Sequence, residues 1–250
     1  EAYRKKKCLN EEQRAAADGI LADFDAGRKD TSLIHGITGS GKTEVYLEII
    51  EGMIKRGKQA IVLIPEIALT YQTLLRFYVR FGDRVSVMNS TLSQGEKYDQ
   101  CERAKKGEID VMIGPRSALF TPFSRLGAII IDEEHESTYK SESMPKYHAR
   151  ETAEKIASMQ QAVVILGSAT PSLEAYCRAK SGKYRLYELT DRQAGGKLPS
   201  VYTVDLREEL KQGNRSIFSR KLHGLIQERL EKKEQSILFL NRRGYAGFVS

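Results

Sequence analysis

Residues 36–43 read Gly-Ile-Thr-Gly-Ser-Gly-Lys-Thr, a complete G-x-x-x-x-G-K-[ST] phosphate loop. An apolar pair, Leu33 and Ile34, precedes it, and a helix-forming stretch from Glu44 to Lys55 follows. That setting predicts a strand, a glycine-rich turn and a helix in succession. Such a turn points consecutive backbone N–H groups inward, at a helix N-terminus that carries partial positive charge. Gly36, Thr38, Gly39, Ser40, Gly41, Lys42 and Thr43 are therefore candidate ATP contacts. Lys42 would reach the β- and γ-phosphates, and the Thr43 hydroxyl would ligate Mg²⁺. The competing reading, a tight turn that merely uses glycine, is disfavoured because the motif is complete and its flanks fit.

Strand-like and helix-like runs alternate through the first three quarters of the chain. Strands are predicted at Ser32–His35, Ala60–Ile64, Val85–Met88, Asp110–Ile113, Ala128–Asp132 and Val163–Gly167. Helices are predicted near 10–26, 42–57, 67–80, 93–106, 148–160 and 171–181. Several strands are continuous apolar runs (Ile129-Ile130-Ile131; Val163-Val164-Ile165-Leu166), as expected where both faces of a parallel sheet are covered. The alternation argues for an α/β, doubly wound, mostly parallel sheet, whose ligands bind beyond the carboxyl ends of its strands. Near 183–200 the character changes. Gly195-Gly196-Lys197-Leu198-Pro199 reads as a linker. A strand (Val201–Asp205), a polar loop with Gly213 and Asn214, a helix from about Ser219 to Lys232 and another strand (Ile237–Leu240) follow. The organisation expected is one domain over 1–190 and the start of a second α/β unit over 191–250.

Composition adds limits. An apolar content of 40% with 29% charged residues suits a folded chain rather than a disordered one. No apolar run approaches the roughly 18 residues of a membrane span, so no membrane partner is expected. Arg4, Lys5, Lys6 and Lys7 lack the apolar segment of a secretory signal. Three scattered cysteines, at 8, 101 and 177, suggest reduced thiols rather than a disulfide framework, and no pair has metal-ligand spacing. The chain begins at Glu1 rather than methionine, which is expected of a fragment or a processed chain. Of the net charge of +7, residues 191–250 carry +5, a hint of a polyanionic partner.

Ile129-Ile130-Ile131-Asp132-Glu133-Glu134-His135 is an apolar strand ending in carboxylates. Burying such groups is costly unless a cation compensates. Asp132 would hold Mg²⁺, directly or through water, and Glu133 would orient and deprotonate an attacking water. After the next strand comes Gly167-Ser168-Ala169-Thr170-Pro171-Ser172. Its hydroxyls can bridge a catalytic carboxylate to another surface. Ser168 or Thr170 before Pro171 also fits a helix N-cap, and both roles can hold together.

Phosphate loop, D-E-x-H and S-A-T, in that order, resemble the first motor lobe of a superfamily 2 helicase. GITGSGKTEVYLE, LIPEIALT, GPRSALFTPF, IIIDEEHESTYK, YHARE, GSATPSLE and FLNRRGYAGF are more specific, and are similar to the primosomal protein N′ family of replication-restart helicases, from about Leu9 to Phe248. The resemblance implies a RecA-like lobe, ATP and Mg²⁺ as substrate and cofactor, 3′→5′ unwinding of DNA, single-stranded and forked DNA as partners together with primosome and single-strand-binding proteins, and a bacterial cytoplasmic, nucleoid-associated setting. It also implies a second lobe cut short before a zinc module, with Zn²⁺ held only in the full-length protein. Neither the zinc ligands nor the cross-cleft arginines of that second lobe fall within these 250 residues, so slow hydrolysis at best is expected of this chain alone. Rival readings are another superfamily 2 repair or fork-reversal translocase, which shares the motor chemistry, and a non-motor ATP switch.

Position by position, the resemblance makes Gln13 a candidate adenine reader. Asn10 followed by Gln13 is equally a capping box at a helix start. Thr70, with Gln72 beside it, would meet the DNA backbone after the second strand, and Arg116 and Ser117 would bind phosphates. Pro115 stands where the family more often has threonine, and Asn89-Ser90 where it has His-Ser. Tyr139, Lys140, Tyr147, His148 and Arg150 resemble the family's aromatic-rich loop, in which stacking and phosphate pairing suit single-stranded DNA; tyrosines packed down on the lobe are the alternative. His135, Ser168 and Thr170 are the expected coupling set. Arg242 opens the second lobe's first motif.

Overall fold

A computed structural model of the chain describes residues 8–191 and 199–239. The chain divides into two compact units, Glu1–Gly196 and Lys197–Ser250.

The first unit alternates as the periodicity implies. Its elements are α1 (Glu11–Asp25), β1 (Ser32–Gly36), α2 (Lys42–Lys55), β2 (Gln59–Leu63), α3 (Tyr71–Phe81), β3 (Val85–Val87), α4 (Gln94–Lys105), β4 (Val111–Gly114), β5 (Leu126–Asp132), α5 (Ala149–Gln160), β6 (Val163–Ser168), α6 (Leu173–Lys180) and β7 (Arg185–Leu189). The seven strands form one sheet in the order β3-β4-β2-β5-β6-β1-β7, and every pairing is parallel. Each crossover therefore needs a connection over a sheet face; helices α2 to α6 provide it except between β4 and β5, where a 3₁₀ turn at Arg116–Phe120 serves.

The continuous apolar runs explain themselves in this arrangement. Neighbouring residues on a strand point to opposite faces, and both faces are covered. Leu33, Ile61, Leu63, Met112, Ile129, Ile131, Val164 and Leu166 face one core, which holds alanines of α4, α5 and α6. Ile34, Ala60, Val62, Val111, Ile113, Ile130 and Ile165 face the other, beneath α1, α2 and Phe77 of α3. Short alanine faces such as Ala149, Ala153 and Ala157 let α5 lie close to the sheet.

Several helix starts are fixed by local chemistry. Asn10 and Gln13 form a reciprocal capping box on α1, and Ser93 and Glu96 form one on α4. Thr70 caps α3, so the helix expected from residue 67 begins four residues later, after a 3₁₀ turn at Glu66–Ala68. One strand falls where a change of character was expected. β7 pairs with β1 from Ser32↔Arg185 to Gly36↔Leu189 and forms the sheet edge. An edge strand needs fewer apolar residues than a central one, and Arg185 and Glu188 are exposed, which hid it from a hydrophobicity reading.

The second unit corrects two expectations. Val201–Asp205 is not a strand, and neither is 237–239. Val201 is 85% and Ile237 96% exposed. A strand is completed by a neighbour that takes its N–H and C=O groups, and none of the described residues does so here. Leu240, the end of the second of these segments, lies outside the described residues, as does Arg242. The expected helix is present as α8 (Arg220–Glu231), capped by Ser219, and a short α7 (Leu206–Lys211) precedes it in what was read as a polar loop.

Gly167 on β6 ties the fold to the site. A Cβ placed there would sit 1.6 Å from the Tyr46 hydroxyl, and Tyr46 is itself buried. Gly167→Ala should lower stability by about 1–3 kcal/mol and push Tyr46 off its partner. Thermal unfolding reads the loss; an unchanged midpoint would contradict the packing described.

Candidate nucleotide site

The phosphate loop leaves the carboxyl end of β1 and the acidic run leaves that of β5, with β6 between them in the sheet. This places both motifs on one edge. Gly39 (φ 83°) and Gly41 (φ 82°) adopt the left-handed region, where a Cβ is disfavoured; a Cβ on Gly39 would meet nothing within 4 Å. Gly39 thus answers to backbone conformation and not to crowding. Gly36 is different, because a Cβ there would meet Ser40 Oγ at 2.5 Å. On the edge side, Ile37 N donates to Leu189 O at 3.3 Å, so β7 braces the loop.

A cavity of about 270 Å³ opens over the loop, lined by residues 38–44 together with Arg76, Asp132 and Glu133. The structure thus gathers Thr38, Gly39, Ser40, Gly41, Lys42, Thr43, Asp132 and Glu133 around one space. Lys42 is buried; its Nζ donates to Gly36 O at 3.0 Å and lies 3.7 Å from Glu133 Oε1. The Ser40 hydroxyl is buried and has no hydrogen-bond partner.

Asp132 accepts a 2.9 Å hydrogen bond from the Tyr46 hydroxyl through Oδ1. Burial, and then the neighbouring Glu133 charge, push the Asp132 carboxyl up to about 6, against the donation from Tyr46 and the nearby Lys42 cation. Glu133 sits at φ 48°, a conformation of non-glycine residues that gathers at functional sites because it costs of order 1–3 kcal/mol.

His135 lies between the acidic run and the Ser168–Thr170 turn. Its Nδ1 is hydrogen-bonded to Ser168 Oγ at 2.7 Å and lies 3.7 Å from Glu133 Oε2. Its Nε2 is 3.5 Å from Thr170 Oγ1, and Thr170 N donates to Ser168 Oγ at 3.0 Å. The cap of α6 is Ser172, not Ser168 or Thr170, so the hydroxyls of this turn are committed to His135 rather than to capping.

Glu134 is not singled out by sequence pattern. It is fully buried, and it accepts from Ser172 N at 2.6 Å, from Ser172 Oγ at 3.0 Å and from Arg150 Nη1 at 3.3 Å. It locks the acidic turn to the start of α6. The pattern of three consecutive acids, one of which must face inward, is the sequence trace it leaves. Arg76 is not singled out either; its trace is the spacing of Arg76 and Arg80, one turn apart on α3.

Two expectations are corrected, for Arg150 and Tyr139, and Gln13 has a structural role. Arg150 is buried in the Glu134–Ser172 network, with its Nη1 also donating to Ser172 Oγ at 2.9 Å, and so does not face DNA. Tyr139 is 1% exposed, with its hydroxyl donating to Asp132 O at 2.6 Å and Leu63 O at 3.1 Å; it supports the acidic strand end and offers no face for a base. Gln13 is fully buried, its Oε1 accepting from Asn10 N and its Nε2 donating to Ser40 O at 2.6 Å. Gln13 thus joins α1 to the phosphate loop.

Thr70, Ser117 and Lys140 are exposed, and Arg116 and Tyr147 half-buried. Arg116 Nη1 donates to Thr138 O at 2.7 Å and to Lys140 O at 2.8 Å, and Tyr147 packs edge-on against Phe120 with ring centroids 5.2 Å apart. Arg116, Phe120, Lys140 and Tyr147 thus meet where two loops converge beyond β4 and β5.

The raised Asp132 value has a defined consequence. The folded state binds this proton more tightly than the unfolded chain, whose carboxyl lies near 3.8. The resulting stabilisation is present below about pH 4 and lost as pH rises to about 6. In chelator, the wild-type protein should lose on the order of 2 kcal/mol relative to Asp132→Asn across that interval. Parallel chemical denaturation at several pH values measures it; a difference independent of pH would contradict the assignment.

Comparison with known proteins agrees with this geometry. Residues 6–173 match the family model described as type III restriction enzyme, res subunit. The replication restart protein PriA of Bacillus subtilis (strain 168) is 52% identical over 241 residues, which is 96% of this chain and 30% of that protein. PriA of Synechocystis is 51% identical over 87% of this chain and 27% of its own length, and PriA of Haemophilus influenzae is 43% identical over 95% and 32%. The chain therefore spans about a third of the relatives it matches. Among solved structures, RecG bound to a three-way DNA junction superposes with a TM-score of 0.57 at 23% identity, over 77% of this chain and 25% of RecG. The UvsW helicase of bacteriophage T4 gives 0.50 at 17% identity, over 73% of this chain and 60% of UvsW. The doubly wound lobe is thus the RecA-like lobe seen in helicases, and the chain belongs to the type III restriction enzyme res-subunit family and is a relative of the replication restart protein PriA.

Proposed function

We propose that this chain is the ATP-binding motor lobe of a 3′→5′ DNA helicase that acts in replication restart. The observation that carries the reading is the facing of Lys42 and Glu133, 3.7 Å apart, across a cavity floored by a complete phosphate loop.

The residues fit a magnesium nucleotide. The buried, unpartnered Ser40 hydroxyl and the two left-handed glycines form a cradle that side chains at 36, 39 or 41 would spoil. Thr43 and Asp132 would hold Mg²⁺, which when bound neutralises charge developing on the phosphates. Lys42 would leave Gly36 O for the phosphate oxygens. Glu133 would take a proton from water as its oxygen bonds to the γ-phosphorus and the bond to the β–γ bridging oxygen breaks, releasing ADP and phosphate. Tyr46 and Tyr139 fix the strand end that carries Asp132, and Glu134 holds the turn that carries Glu133. The His135–Ser168–Thr170 chain then links Glu133 to the turn before α6, a route by which hydrolysis could be sensed elsewhere.

DNA would be met by Thr70, Arg116, Ser117, Lys140 and Tyr147, with Phe120 joining Tyr147 as an aromatic platform, and by Arg242 from the second unit. In the full-length protein we place the zinc module, the remaining second-lobe arginines and contacts with primosome and single-strand-binding proteins, on forked DNA in the bacterial cytoplasm.

Lys42→Ala in the full-length protein should abolish ATP hydrolysis and leave most single-stranded DNA binding intact. Glu133→Gln should instead keep bound nucleotide, read by filter retention of labelled ATP. Hydrolysis surviving Lys42→Ala near the wild-type rate, or a turnover indifferent to single-stranded DNA, would overturn the motor reading.

A further inference from the structure

Every other group on the wall of the nucleotide cavity comes from the phosphate loop, the start of α2 or the acidic strand end. Arg76 comes from α3. It has no hydrogen-bond or ion-pair partner among the described residues, and it is half-exposed. The next arginine on the same helix is in the opposite condition. Arg80 Nη2 donates to Glu48 Oε2 at 2.7 Å and its Nε to Glu51 Oε2 at 2.9 Å, both carboxylates belonging to α2. Residues four apart share one helix face, so the face that clamps α3 onto α2 also presents Arg76. Buried Phe77 beside it anchors the helix in the core. Arg76 is thus a free guanidinium on a firmly mounted helix, directed to the space over the phosphate loop.

Charge balance makes this position consequential. The cavity wall holds three carboxylates, Glu44, Asp132 and Glu133, against Lys42 and Arg76. Lys42 already faces Glu133. With Lys42 alone, a polyphosphate entering this space would meet three carboxylates and one cation; Arg76 narrows that excess to a single negative charge. A guanidinium is also the group that pairs two phosphate oxygens at once.

We propose that Arg76 is a substrate-binding residue that contacts the non-bridging phosphate oxygens of the bound nucleoside triphosphate, from the wall opposite the loop's own amides. The inference rests on the nucleotide reading of this cavity and assigns it a further phosphate ligand.

The test is equilibrium binding of ATP and AMP to the full-length protein, for wild type, Arg76→Ala, Arg76→Lys and Lys42→Ala, with circular dichroism as the control for folding. Arg76→Ala should weaken ATP by roughly tenfold or more and AMP much less, so that the preference for ATP shrinks. Arg76→Lys, which keeps the charge and loses the fork, should recover part of the loss. Equal weakening of both nucleotides would mean that Arg76 acts on the nucleoside or only through the packing of α3, and would overturn the proposal. So would wild-type affinity in Arg76→Ala while Lys42→Ala loses ATP. If Lys42→Ala also binds like wild type, the nucleotide reading itself fails.

Discussion

A carboxylate at the end of a buried strand is the constraint around which this lobe is organised. Asp132 closes a run of isoleucines that have no access to solvent, and its charge must be met there. The sheet order meets it by bringing α2 across from β1, so that Tyr46 can donate to Asp132 from the helix that also starts with Lys42. The lack of a side chain at Gly167 is what lets that tyrosine through. Tyr139 then secures the same strand end from the other side, through the backbone carbonyls of Asp132 and Leu63. The phosphate loop and the acidic turn are thus held together by interactions that involve neither motif's own consensus letters alone.

The residual mismatch at Asp132 suits its proposed task. Tyr46 and Lys42 do not fully offset burial and the Glu133 charge, and the carboxyl stays well above its ordinary value. A site that satisfied this group completely would gain little from a cation. The strained backbone at Glu133 belongs to the same pattern: it turns the chain sharply at the strand end, where His135 and the Ser168–Thr170 turn can reach it. Stability is spent on an arrangement that a bound nucleotide and metal would complete.

Much of this was legible in the letters. Buried parallel strands announce themselves as continuous apolar runs, and six of the seven lie within a residue or two of where hydrophobicity puts them. The phosphate loop fixes its own strand, turn and helix. What escaped depends on tertiary context. β7 is an edge strand whose side chains are only partly covered, Leu186 against one core and Tyr187 and Leu189 against the other, while Arg185 and Glu188 stay exposed and break the apolar run. Val201–Asp205 has strand-like letters, but none of the described residues pairs with it. Tyr139 and Arg150 have the side chains of a nucleic-acid loop, yet one supports a strand end and the other neutralises a buried Glu134; residue type alone does not separate a stacking tyrosine from a strut. Gln13 carried two readings, and the structure combines a cap with a link to Ser40 that no spacing rule anticipates. Arg76 is invisible without the knowledge that α3 crosses α2 beside the loop.

The central claim is that one cavity, floored by residues 36–43 and walled by Asp132 and Glu133, takes the triphosphate. A crystal structure with a non-hydrolysable ATP analogue and Mg²⁺ tests it most directly. The account predicts phosphate density against the loop amides and Lys42, with metal density between Thr43 and Asp132. Nucleotide bound elsewhere, with Lys42 still on Gly36 O, would contradict it.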